Sequence, residues 1–167
     1  MLTATRRILT TMIAAAAVAG AAATPAVASP NTKFRGQFAV VETITPDALC
    51  GGFRVSHTGS GSATHLGKAT WSATECVDLL ANPGRAHVRD GRAVLTSANG
   101  DTLQLSYEAD GALPDPAGNV HVTGPYEITG GTGRFEGAKG GGTLTGDANV
   151  TTAIAQIDLT GTLSRAD

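Results

Sequence analysis

"GPYEITGGTGRFEGAKGGG", Gly124 to Gly142, spends eight of its nineteen residues on glycine. A glycine inside a strand or helix costs about 0.5–1 kcal/mol relative to alanine, so this density needs a reason. A flexible linker would hold glycine with serine and little else. Here Tyr126, Ile128, Phe135 and, just beyond, Leu144 break up the glycines and need a core. A phosphate-cradling P-loop needs a lysine followed by serine or threonine after its second glycine, and no such pair occurs. No strand–helix unit surrounds the stretch, so it is not a dinucleotide fingerprint either. The remaining reading is architecture: a strand, a tight turn around Gly130–Gly133, a short packed segment carrying Phe135, and a return strand. Gly130, Gly131 and Gly133 supply positive φ and close backbone approach there.

Working outward, the chain alternates. Phe34, Phe38, Val40 and Ile44 share one parity, against Lys33, Arg35 and Gln37. Phe53 and Val55 repeat the pattern, followed by Trp71 in "GKATWSATECV". Leu103, Leu105 and Tyr107 oppose Gln104, Ser106 and Glu108, and Val120, Val122, Tyr126 and Ile128 oppose His121, Thr123 and Glu127. The last candidate strand sets Ala155, Ile157, Leu159 and Leu163 against Gln156, Asp158 and Thr160. Period-two alternation in nearly every segment means one buried face per strand. Turn signals return about every ten residues, as in antiparallel barrels and sandwiches. Asn99–Asp101 reads as a tight hairpin, and "LPDPAGN", Leu113 to Asn119, as a longer surface loop. The expected fold is all-β: a small closed antiparallel barrel of about eight strands, which leaves no exposed edge. A sandwich is the alternative.

Residues 1–28 read as a secretory signal peptide: Arg6 and Arg7, an alanine-rich apolar run from Ile8 to Ala23, and Ala26-Val27-Ala28 before the cut. Sec export is the expected route and twin-arginine export the alternative. The run is too short and too weakly apolar for a membrane span. Residues 29–167 suffice for a single barrel domain. They carry ten basic against fourteen acidic residues, a net charge of −4, with no basic cluster. That argues against nucleic acid and anionic membranes as partners. Cys50 and Cys76, the two cysteines, are expected to form a disulfide in an oxidising, extracellular setting. Such a loop closure contributes about 3 kcal/mol. A zinc or nucleophile cysteine is the rival reading.

"ITGGTGRFEGAKGGGTLTG", Ile128 to Gly146, resembles the glycine-rich signature of small secreted bacterial proteins with an allene oxide cyclase-like barrel. Plant dirigent proteins carry a similar "GGTGRF" element. "GSGSATHLGKATWSATEC", Gly59 to Cys76, resembles a second recurring segment of the bacterial group. The two segments cover about a quarter of the chain after the signal. The resemblance implies an eight-stranded, lipocalin-like (calycin) barrel, a homotrimer as in the plant relatives, and a cavity for an apolar small molecule. It carries over no catalytic residue, because the matching positions are structural glycines and Phe135.

Parity gives an independent lead to a site. Glu42 falls on the face of Phe38, Val40 and Ile44; His57 shares a face with Phe53 and Val55, Glu75 with Trp71, and Tyr107 with Leu103 and Leu105. These four are the candidate pocket residues, oriented to hold a ligand's polar end. Buried carboxylates are costly unless paired, and their raised pKa is how acids and bases are made. The bland alternative puts them at strand ends. His57, His65, His87 and His121 are too widely spaced for a common zinc motif, so no metal and no cofactor are expected. His87 is read as part of an arginine-containing loop, "NPGRAHVRDGR", and Arg134 as a structural or surface pair. No "GxSxG" elbow occurs. The leading functional expectation is a secreted barrel that binds a small apolar molecule or a protein partner without turnover. An isomerase or cyclase of the allene oxide cyclase type comes second, and a structural surface or matrix protein third.

Overall fold

The computed structural model describes residues 31–165. The signal peptide assigned to residues 1–28 lies outside them. Eight strands run in chain order: β1 (Thr32–Asp47), β2 (Gly52–Ala63), β3 (Gly67–Asp78), β4 (Arg85–Ser97), β5 (Thr102–Ala112), β6 (Asn119–Gly131), β7 (Lys139–Asn149) and β8 (Ile154–Ser164). Each pairs antiparallel with its neighbour in sequence, and β8 returns to β1 to close the barrel. Short 3-10 turns at Ala48–Cys50 and Gly133–Phe135 are the helical content of the described residues.

The alternation is what closes it. Alternate residues of each strand point into the lumen, with one switch of parity in β4, so apolar side chains from all eight strands share one interior while serine, threonine and charged residues mostly face water. The two ends differ. At the end holding the β2–β3, β4–β5 and β6–β7 connections the lumen is solid, with Phe34, Phe38, Leu95, Leu103, Ile128, Phe135 and Leu163 fully buried. Phe135, carried on its 3-10 turn, plugs this end. Gly133 makes the plug feasible, because its φ is +57° and a Cβ there would strike the Asp101 carboxylate. Arg134 approaches that carboxylate at 3.4 Å and lies over the Phe135 ring.

Cys50 and Cys76 form a disulfide with Cα atoms 4.9 Å apart. It ties the β1–β2 turn to β3 at the opposite end of the barrel. β4 departs from regularity there. Register shifts on both sides of it leave Arg89 and Asp90 as a bulge, with Asp90 at φ 56°. His87 is therefore on a strand, not in a loop; its ring faces outward and meets Asp110 at 2.9 Å. The sequence hid this because the bulge breaks the parity: Ala86 and Val88 point inward, and so do Ala93 and Leu95, with four residues, an even number, between the two pairs.

Candidate functional site

At the end holding the β1–β2, β3–β4, β5–β6 and β7–β8 connections the lumen is hollow. A cavity of about 330 Å³ opens to solvent there, walled by apolar side chains that include Ile44, Phe53, Val55, Val77, Val120 and Val122. Leu113 and Pro114 of the β5–β6 loop also line it, so that loop is part of the wall as well as of the surface. Leu49, Leu80, Leu113 and Val150 stand exposed on the loops of this same end. Beneath the cavity, and sharing Glu42, Glu75, Val88, Val122 and Ala148 with it, is a void of about 30 Å³. That is room for about one water molecule.

Glu42, His57, Glu75 and Tyr107 come together between the two. Register places them. Glu42 on β1 is directly opposite His57 on β2, and on the next pair Val55, two residues from His57, is opposite Glu75 on β3. Tyr107 on β5 is opposite Gly91, immediately after the β4 bulge. Bulges of this kind re-aim neighbouring side chains. A Cβ on residue 91 would lie 2.6 Å from the Tyr107 ring, so glycine leaves the space the ring occupies.

The Tyr107 hydroxyl donates to Glu75 Oε2 at 2.6 Å. His57 Nε2 stands 3.5 Å from Glu75 Oε1 and 3.6 Å from Glu42 Oε1, at and beyond the limit of a hydrogen bond. The His57 side chain is 3% exposed, and both its ring nitrogens are without a hydrogen-bond partner, as is Nε1 of the adjacent Trp71. Trp71 packs against Phe38 below and Tyr107 above, with ring centroids 5.3 and 6.5 Å away, and so couples the solid core to the polar floor.

Electrostatics follow from burial and crowding. Burial raises the Glu42 carboxyl above its ordinary value; His57 opposes this and Glu75 adds to it. For His57 burial is the largest single influence and favours the neutral ring, but Glu75 and Glu42 together outweigh it and the pKa is raised. Burial, with Glu75 second, lifts the Tyr107 phenol well above its usual value, so it remains a donor. The floor can accept hydrogen bonds, exchange a proton and attract positive charge, beneath an apolar wall.

The remaining candidates sit elsewhere. His65 meets Thr32 Oγ1 at 3.1 Å at the solid end, and His121 pairs with Asp147 at 2.7 Å on the outer face. Among the described residues no group of three or more His, Cys, Asp or Glu side chains is arranged to hold a metal ion, and no helix is long and apolar enough to cross a membrane. Sequence reasoning did not find Val88 or Trp71 Nε1 as parts of the site. The tryptophan was legible as an inward residue, but its height in the lumen is set by inter-strand register. No family model and no curated protein matches this chain.

Proposed function

We propose that this chain is a secreted barrel that holds a small, largely apolar molecule in the hollow half of its lumen, polar end down on Glu42, His57, Glu75 and Tyr107. The observation that carries the reading is the solvent-open cavity of about 330 Å³ with apolar walls and a polar floor. Sites for small ligands commonly combine these two features. The test uses the neutral fluorescent probe N-phenylnaphthylamine and Ala148→Trp, which places a large apolar side chain in the cavity from β7. Binding to the wild-type chain that is lost in Ala148→Trp is expected. A wild-type chain that leaves the probe dark, or a filled variant that binds it equally well, would overturn the reading.

The floor gives one observation in favour of a second reading, an isomerase or cyclase of the allene oxide cyclase type. A buried carboxyl of raised pKa beside an imidazole can take a proton from one position of a confined molecule and return it at another. Mass spectrometry of the co-purified small molecule, before and after incubation, separates the two: a binder returns it unchanged, and an isomerase returns it at the same mass with a different fragmentation pattern.

A further inference from the structure

We propose that the cavity selects amphiphiles whose polar end is an ammonium group over alcohols and carboxylates of the same length. The inference rests on the ligand-binding reading above and adds the charge of the ligand's head.

Glu42 and Glu75 are the ionisable groups lining the upper cavity, and His57 and Tyr107 join them below; no lysine or arginine lines either space. Two carboxyl groups therefore face a single basic group, the His57 imidazole, and one neutral phenol. Their hydrogen bonds are unevenly met. Glu75 accepts from the Tyr107 hydroxyl at 2.6 Å, whereas the Glu42 carboxyl has no side-chain hydrogen bond, and His57 Nε2 stands 3.6 Å from it. Glu42 is thus a nearly buried carboxylate that faces an apolar cavity with no donor in hydrogen-bonding range, and such a group is costly to the fold. A ligand that supplies donors and positive charge relieves a cost that the empty protein already carries.

The three head groups differ in how well they do this. An ammonium brings three donors and a charge and needs no acceptor in return. A hydroxyl brings one donor and no charge. A carboxylate brings negative charge to a floor that already holds two carboxyl groups, in surroundings where water screens poorly. The His57 ring supplies an independent sign that this floor meets a polar group. It is almost completely buried, lines the lower void, and leaves both nitrogens without partners. Buried polar groups in that condition are rare in native proteins.

Octylamine, 1-octanol and octanoate, measured by calorimetry on the full barrel at about pH 7, test the order. Octylamine is expected to bind at least about tenfold tighter than octanol, the range of a hydrogen bond to a charged group, with octanoate weakest. Glu42→Gln is expected to bring octylamine to within a few-fold of octanol measured on the same variant. Octanol bound as tightly as octylamine by the wild-type chain overturns the inference and leaves the ligand-binding reading standing. None of the three bound overturns both. The wild-type comparison decides the matter even if Glu42→Gln fails to fold.

Discussion

Burial pushes the His57 imidazole towards its neutral form, and carboxylates at 3.5 and 3.6 Å push it back. The carboxylates prevail, so the ring holds its proton more tightly in the folded chain than in the unfolded one. The sign for stability follows. A raised folded pKa contributes stability that is complete below the unfolded value, about 6.5 for histidine, and is lost as pH rises through the folded value. Glu42, also raised, works in the same direction from its own lower starting point. Asp47, Asp78 and Asp115 work in the opposite direction. Backbone N–H groups of their own turns hold all three below the usual carboxylate range, so their contribution is present above that range and lost in acid. NMR titration of His57 is expected to give a midpoint above 6.5 in the wild-type chain and a lower one in Glu42→Gln or Glu75→Gln. An unchanged midpoint in both variants would mean the carboxylates do not hold the proton. At this scale the sequence was generous. Each floor residue shares a strand face with apolar neighbours, and that alone marks Glu42, His57, Glu75 and Tyr107 as inward. Their meeting at one height was not legible, because it depends on which residue of β1 stands opposite which residue of β2.

The β4 bulge shows how an element builds the site. Two residues, Arg89 and Asp90, interrupt the ladder beside Glu75 and Tyr107, and Gly91 then leaves room for the tyrosine ring. Gly91→Ala is expected to destabilise the barrel by about 1–3 kcal/mol, as overpacking does. It also displaces the Tyr107 hydroxyl from Glu75. Urea unfolding measures the first effect, and the chemical shifts of the Tyr107 ring measure the second. Unchanged stability with an unmoved ring would show that the wall yields there at no cost. The turn around Gly130–Gly133 was readable because turn chemistry is local: glycine spacing and one aromatic residue describe it. The bulge was not, since one extra residue in a strand is visible only against the strand beside it. The same blindness turned the His87 strand into a loop on paper.

For the molecule as a whole, one parity per strand and the absence of helical signals were enough to indicate a closed barrel. They could not say that one half of the lumen is filled and the other hollow. That outcome depends on the sum of side-chain volumes at each level and on strand stagger, and neither is written in any single segment. Phe34, Phe135, Leu103 and Leu163 fill one end together, while valines and alanines leave room at the other. Closure itself makes a prediction. A chain ending at Asn149 lacks β8, exposing one edge each of β1 and β7 where the intact barrel has none. Size-exclusion chromatography is expected to show aggregated or expanded material, and a compact monomer would contradict this.

The closing seam joins Thr32 to Leu163, 131 residues apart in the chain, while every other seam joins neighbours linked by a short turn. Distant pairings form slowly, because the entropy of closing a long loop must be overcome before any contact is gained. Glu42, His57 and Glu75 lie on the first three strands and can be brought into register by two local hairpins. On this topology the acidic floor is drafted early in folding and its roof late. A newly made chain carries the outline of its polar floor before the wall that will enclose it exists.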